Sequence, residues 1–334
     1  MEPTSFSAST RGCSAVEIGA RGLFGTIGAI VVTLHSQDAC ESLVGALRGQ
    51  VDFVVVVDNG SGAAMVASLR QLEARHTGFV QLVLNDQNVG LARGQNQGID
   101  EAIARGADWI ILFDQDSRPS RNLIEAMALA IQSEGAPDRI GIVAASIQRT
   151  GSTQPQGYLL ADHRWRWRPV SFDDRPTLKP LAFAIAAGSL IRVDAIKQIG
   201  PMREEFFIDY VDIEFCLRLN CSGFRIVAVR GAQIIQPVGE TREYRFLRWR
   251  VRTTHHAVSR RYLMYRNRVR LWLAYGRSCP GWLIFDVTAA FSHLLRIMIF
   301  EDCKRAKLGA SLKGLARGFA MGPARPSTAL PCGD

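Results

Sequence analysis

The chain has 334 residues, 47% hydrophobic and 21% charged, a globular balance that excludes a disordered, collagen-like or disulfide-stapled protein. Its net charge is +9, but residues 241–320 hold 17 Lys+Arg against 4 Asp+Glu, a net of +13, which leaves −4 for the remainder. A mildly acidic body with a basic C-terminal segment points to an anionic partner: nucleic acid, a membrane surface or a phosphorylated substrate.

Residues 1–25 mix Ser, Gly, Thr and charges without an apolar run, so they read as a flexible extension without a signal peptide. Order is expected from Thr26. Ile27–Leu34 is continuously apolar and β-branched, as a parallel strand buried on both faces requires. A helix is predicted over 39–47. A second buried strand, Phe53–Val57, stops at Asp58-Asn59-Gly60-Ser61, a strong turn signal. A helix over 63–75, a strand over 80–84 and a helix over 91–105 follow. The strand Trp109–Phe113 ends at Asp114-Gln115-Asp116-Ser117, and a helix over 123–133 and a strand over 140–145 come next. Four strand–helix alternations predict an α/β fold with a mainly parallel sheet and right-handed crossovers. In such sheets ligands sit beyond the carboxyl ends of the strands. Asp58, Asp114 and Asp116 fall at those ends.

Residues 148–180 are rich in Gly, Pro, Arg and Trp, so a long loop or irregular hairpin is expected. Leu181–Val193 is apolar, a helix is predicted over 206–219 and a strand over 225–229. Beyond Gly239 the composition turns basic and aromatic, and helices are predicted over 243–275 and 281–318, with a frayed tail from Gly322. The longest apolar stretch, Trp282–Phe300, contains Asp286, His293 and Arg296. Three ionisable groups are costly in a membrane span, so it reads as a buried or surface-lying amphipathic helix. The seven cysteines include no C-x-x-C pair, which argues against a zinc ribbon or redox motif and fits a reducing compartment.

Five clusters are able to carry chemistry. Asp114-x-Asp116 presents two carboxylates at a strand end, suited to Mg²⁺ or Mn²⁺ bridging to a diphosphate, or else to a turn with a helix cap. In Asp209-Tyr-Val-Asp212-Ile-Glu214, a helix puts Asp209 and Asp212 on one face, while Glu214 pairs with Arg218 at i, i+4. Either aspartate serves as a general base or as an acidic first turn. Asp58 is placed to accept from a base or ribose hydroxyl, or simply forms a β-turn. The glycines of Asn88-Val-Gly90-Leu-Ala-Arg-Gly94-Gln-Asn-Gln-Gly98 allow close approach of a ligand or of a neighbouring strand. That stretch fits neither a dinucleotide fingerprint nor a P-loop. The arginines of 242–270, interleaved with Tyr and Trp, form a solvated helical face, a nucleic-acid or anionic-lipid surface, or a clamp for a diphosphate.

Six motifs in order carry a resemblance: V-V-T at 31–33, V-V-D-N-G-S at 56–61, N-V-G-L-A-R-G-Q-N-Q-G at 88–98, D-Q-D-S at 114–117, G-S at 188–189 and Y-V-D-I-E-F-C-L-R at 210–218. Together they resemble the inverting family 2 glycosyltransferases of the GT-A fold. With H-H-A-V-S-R-R-Y-L-M-Y-R-N at 255–267 they are most similar to bacterial rhamnosyltransferases. The resemblance implies a GT-A catalytic domain over 26–240 with a mainly parallel central sheet, a basic helical segment over 241–320 and a tail over 321–334. It implies nucleotide-sugar contacts from Thr33, Asp58, Asn88, Gly90 and Asp114, a divalent cation (Mg²⁺ or Mn²⁺) on Asp116, and Asp212 as catalytic base with Asp209 as the fallback. It further implies transfer of a sugar, L-rhamnose from dTDP-L-rhamnose, to a saccharide or lipid-linked acceptor in cell-surface polysaccharide synthesis. The setting implied is cytoplasmic, with peripheral contact to the inner membrane face and no nucleic acid. Other nucleotide sugars, or a non-catalytic membrane or nucleic-acid binding role, are the competing readings. The chain departs from the family at three positions. His35 replaces an Asn after strand one, Val211 replaces the Glu of the family's Glu-Asp pair, and Gln236 stands where many relatives have a metal- or phosphate-side His. An amide oxygen there is a poorer metal ligand than imidazole.

Overall fold

The computed structural model describes residues 22–134, 137–150, 155–161, 165, 167–237, 241–246 and 249–324. The expected N-terminal extension and the tail lie largely outside these residues, as do Glu240 and Arg248. In chain order, β1 (Ile27–Thr33), α1 (Gln37–Leu47), β2 (Phe53–Asp58), α2 (Ala63–Arg75), β3 (Val80–Leu84), α3 (Leu91–Ala104) and β4 (Trp109–Asp114) alternate as the hydrophobic pattern requires. They are followed by β5 (Arg118–Pro119), α4 (Leu123–Gln132), β6 (Ile140–Arg149), β7 (Tyr158–Leu160), β8 (Arg168–Val170), β9 (Thr177–Leu178) and β10 (Ser189–Arg192). Then come α5 (Val193–Ile199), α6 (Val211–Cys221), β11 (Arg225–Gln236), β12 (Thr241–Phe246), β13 (Trp249–Thr254), α7 (Val258–Tyr275), α8 (Pro280–Phe300) and α9 (Lys304–Met321).

The main sheet runs β3-β2-β1-β4-β10-β6-β11-β5, with β9 paired to β11. β3, β2, β1 and β4 are mutually parallel, as are β6 and β11. β10 lies antiparallel between β4 and β6, which makes the sheet mixed. Both faces are buried, because successive side chains of these apolar strands point to opposite sides. Ile30, Val55, Val57 and Leu112 join a core with α3 and α6. Val31, Val54, Val56 and Phe113 join a second core with α1, α2 and α4. The helix-side glycines of the 88–98 motif serve packing. A Cβ on Gly98 would lie 2.4 Å from Ile30 Cγ2, and one on Gly94 3.1 Å from Val32 Cγ1.

The strand predicted over 140–145 runs on to Arg149, and four other elements differ. The helix predicted from 206 begins only at Val211, because Phe207, Asp209 and Tyr210 adopt positive φ of 65°, 62° and 67°. The strand predicted to stop at 229 continues to Gln236 through a register shift between Val229 and Gln233. Residues 241–254, which take in the start of the helix predicted over 243–275, form the β12–β13 hairpin. The reason is a two-residue alternation, Tyr244 and Phe246 then Trp249 and Val251, with arginines between, which is a strand period. The helix predicted over 281–318 is broken at Glu301–Cys303, where Cys303 has φ +53°.

α8 is long and apolar enough to cross a membrane by length and composition. It is nevertheless anchored to the domain. Its stripe Trp282, Asp286, Ala290 and Ile297 is buried, and Asp286 binds Arg268 at 2.9 Å and Trp272 Nε1 at 2.8 Å, both on α7. A second stripe, Ile284, Val287, Phe291, Leu295 and Met298, is exposed.

Candidate active site

The parallel strands end side by side. Thr33 is in register with Asp58, and Val32 with Asp114. These ends open on a cavity of about 720 Å³. Thr33, Asn88, Asp114, Asp116, Asp209 and Asp212 line it; Asp58 and Gly90 do not.

Each residue is held by its own local chemistry. Thr33 Oγ1 and the Leu34 N–H both donate to Gln115 Oε1, at 3.0 and 2.8 Å, tying the end of β1 to the loop after β4. Asp58 is fully buried and turned into its own turn: Oδ2 accepts from the N–H of Ser61 at 3.0 Å, and Oδ1 has no hydrogen-bond partner. Asn88 Oδ1 accepts from Asn59 Nδ2 at 3.0 Å and from the Gly90 N–H at 2.9 Å. Gly90 has φ +92°, and a Cβ there would lie 2.5 Å from the Phe207 ring. Its demonstrable role is to let the start of α3 receive Phe207, whose carbonyl accepts from the Leu91 N–H at 2.7 Å.

The register shift in β11 delivers Gln236 to the D-Q-D-S loop. Gln236 Nε2 donates to Asp114 Oδ2 at 2.6 Å, while its Oε1 accepts from Ser117 Oγ at 3.1 Å. Both ends of the amide are therefore engaged, and Gln236 fixes Asp114. Burial, and then the neighbouring Asp116, push the Asp114 carboxyl above its ordinary range.

Asp209 and Asp212 meet in the cavity, but not as one helix face. Asp209 precedes α6 in the strained segment 207–210; Asp212 sits in the first turn. Their environments separate them. Arg260 grips Asp209 with a fork, Nε to Oδ2 at 2.9 Å and Nη2 to Oδ1 at 2.8 Å. Asp212 accepts instead from backbone N–H groups, that of Ile213 at 2.9 Å and that of Ala186. Burial raises its pKa to about 6, and the negative charges of Asp209 and Asp114 add to the rise. Glu214 forms the expected ion pair with Arg218, at 2.8 Å, and also accepts from Arg203 and from the Tyr275 hydroxyl at 2.6 and 2.7 Å.

Residues 29–200, just over half of the chain, match Glycosyl transferase family 2. The chain belongs to that family. It is 28% identical to the dTDP-rhamnosyl transferase RfbF of Shigella flexneri, over 64% of this chain and 69% of that protein. It is 24% identical to the galactofuranosyltransferase GlfT1 of Mycolicibacterium smegmatis, over 72% and 80%. Among solved structures it resembles GalNAc-T7 with UDP, GalNAc and Mn²⁺ at a TM-score of 0.55 and 14% identity, covering 75% of this chain and about half (48%) of that one. It resembles residues 1–349 of S. aureus TarS with UDP at 0.50 and 14%, over 88% and 72%. The shared architecture is the GT-A fold, as expected.

In this family 2 glycosyltransferase the arginines of α7 are neither a solvated face nor a loose basic patch. Arg260 holds Asp209, Arg261 binds Glu301, Arg268 binds Asp286 and the Tyr210 hydroxyl, and Arg270 binds Glu205. Asn267, fully buried, donates from Nδ2 to the carbonyls of Phe206, Ile208 and Asp209 at 2.9, 2.9 and 3.0 Å, bracing the strained segment. Asn267 and Arg260 were visible in the sequence only as part of a basic run. The available signal was an Asn in mid-helix, a weak helix former whose side chain competes for backbone groups and so marks a tertiary role.

Proposed function

We propose that this glycosyltransferase inverts configuration as it moves L-rhamnose from dTDP-L-rhamnose to a hydroxyl of a saccharide or lipid-linked acceptor in cell-surface polysaccharide synthesis. The observation that carries the transfer chemistry is the division of labour at the cavity: Asp209 is neutralised by the Arg260 fork, while Asp212 keeps a carboxylate of raised basicity. The similarity to RfbF supports the sugar. The similarity to GlfT1 supports the second reading, another nucleotide sugar in the same site.

Asp212 takes the proton of the attacking acceptor hydroxyl as it adds to the anomeric carbon from the face opposite the leaving diphosphate. One in-line displacement converts a β-L-rhamnosyl donor into an α-L-rhamnoside. Thr33 and Asp114 at the strand ends, with Asn88, hold the nucleotide and its sugar, while Asp58 fixes the turn after β2 and Gly90 keeps the entry to α3 in place. Asp116 fits a divalent cation. Among the described residues no three metal-ligating side chains gather, and one carboxylate plus the phosphates of a bound nucleotide is the donor set Mg²⁺ takes in such sites. Bound there, Mg²⁺ or Mn²⁺ supplies charge neutralisation for the departing diphosphate. Asp114, locked by Gln236, orients rather than ligates.

The exposed stripe of α8 docks on the inner face of the cytoplasmic membrane. Lys304, Arg305, Lys313 and Arg317 on the adjoining α9 carry the charge that attracts anionic headgroups.

The test is a panel of nucleotide sugars with and without Mg²⁺ or Mn²⁺. Metal-dependent binding that selects dTDP-L-rhamnose, and is lost on Asp116→Ala, is the expected result. Selection of another donor replaces the sugar, and failure to bind any donor overturns the catalytic reading.

A further inference from the structure

The seven cysteines divide by their surroundings. Cys40 and Cys216 are fully buried, and burial pushes both thiols up, so neither supplies a thiolate at neutral pH. Cys303 is exposed at the break between α8 and α9. The 21 residues of α8 place it about 30 Å from Cys279, at a helical rise of about 1.5 Å per residue. Cys13 and Cys332 lie outside the described residues. Cys221 and Cys279 differ from all of these. Both are half-buried, and their Sγ atoms stand 3.9 Å apart although 58 positions separate them in the chain.

The elements that carry them are fixed against each other. Cys221 closes α6, whose first turn holds Asp212, and Cys279 immediately precedes Pro280 at the start of α8. The Cys279 N–H donates to the Tyr275 carbonyl at 2.7 Å, and the Tyr275 hydroxyl donates to Glu214 on α6, also at 2.7 Å. Trp282 fills the same corner, fully buried, with its ring edge-on to Tyr210 at 6.2 Å. Two thiols held by such a corner need to close by only about 2 Å to reach a disulfide's sulfur separation of about 2.05 Å. Their partial exposure gives a small oxidant access to sulfur.

We propose that Cys221 and Cys279 form a reversible disulfide that pins the C-terminal helices to the catalytic domain. The co-reactant is a low-molecular-weight disulfide of the glutathione class. The thiolate of one cysteine attacks it, giving a mixed disulfide and releasing one small thiolate. The thiolate of the other cysteine then attacks the protein sulfur of that mixed disulfide and releases the second. One S–S bond breaks as another forms; the cysteine pair loses two electrons and two protons, and the small disulfide leaves as two thiols. In a reducing compartment the resting state is the dithiol, and the link closes as the thiol poise turns oxidising. It goes beyond the transfer reaction and depends on neither the donor sugar nor the base.

The experiment equilibrates the full chain in glutathione buffers of rising oxidised-to-reduced ratio. Non-reducing peptide mass mapping and melting temperature are then read on the same samples. The expected result is a Cys221–Cys279 cross-linked peptide and a melting temperature raised by about 4 °C or more. Both should be reversed by dithiothreitol, absent in Cys279→Ser and retained in Cys303→Ser. Cys221→Ser gives the same answer if Cys279→Ser does not fold. Three results overturn the proposal: no cross-linked peptide, a link between other cysteines, or glutathione adducts on Cys221 or Cys279 that do not resolve to the link. A link that forms without raising the melting temperature overturns its role as a tether.

Discussion

Asp209 and Asp212 are the same residue type three positions apart, yet their surroundings give them opposite characters. A bidentate guanidinium grips both oxygens of Asp209 and occupies them in a fixed fork. Among the described residues Asp212 has no such partner, and burial beside other carboxylates raises its affinity for a proton. Asp212→Asn should therefore lower kcat by about 10²–10⁴-fold, the usual contribution of a general base, with dTDP-sugar affinity little changed. Steady-state kinetics beside nucleotide binding would check this, and a kcat within threefold of wild type would move the base elsewhere. The sign of the pH dependence follows from the raised value. Above about 6 Asp212 is ionised and able to accept a proton; below it the base is protonated and lost. kcat should fall with decreasing pH through an inflection near 6, and a profile flat down to pH 4.5 would contradict the assignment.

At the scale of elements, the site depends on a strained segment clamped between two helices. Three non-glycine residues of 207–210 have positive φ, which costs of order 1–3 kcal/mol each and persists only where neighbours over-determine it. The start of α3 supplies one clamp through the Phe207 carbonyl, and Asn267 on α7 supplies the other. Asn267→Ala would strip three buried carbonyls of one donor, a loss of about 1–3 kcal/mol of stability on the scale of unsatisfied buried groups. Chemical denaturation should show that loss, together with a drop in kcat larger than in nucleotide affinity. Gly90→Ala adds a methyl group 2.5 Å from the Phe207 ring at a φ of +92°. It should destabilise by at least about 1 kcal/mol, although Gly90 touches no part of the cavity. Unchanged melting of Gly90→Ala would show that the Phe207 ring is free to move aside.

At the scale of the whole molecule, the catalytic domain and the C-terminal helices share a buried polar cluster around Asp286. Tyr210, next to the site, donates to Asp286 at 2.9 Å, and Asp286 in turn holds Arg268 and Trp272. The side of α8 facing away from this cluster is the exposed apolar stripe. Docking through it predicts binding to vesicles containing anionic lipid, weakened by salt as the basic groups of α9 are screened. Phe291, the most exposed of the stripe at 70%, should contribute about 1.5–3 kcal/mol when buried in lipid. Phe291→Ser should then reduce vesicle partitioning at least tenfold in a sedimentation assay, and equal partitioning of the two proteins would remove α8 from the interface.

How much of this was legible in the sequence depends on the range of the interaction. Strands β1 to β4 and their helices were readable because burial on both faces writes itself as unbroken β-branched runs, and a strand end announces itself by an abrupt polar turn. The placement of acidic residues at those ends followed directly, as did the Glu214–Arg218 pair, which is local to one helix turn. Elements that answer to distant partners were not readable. The left-handed backbone of 207–210 is imposed by α3 and α7, not by its own residues. Gln236 reaches Asp114 only because β11 shifts register. The arginines of α7 look like a basic surface in the sequence, since a solvated arginine and one buried against a carboxylate have the same letter. Local hydrophobic pattern and turn chemistry are enough to read the parallel strands and the aspartates at their ends. Which carboxylate is gripped by a guanidinium, which is left without one and which arginines are spent could not be read that way, because charge pairing and desolvation are properties of the packed chain.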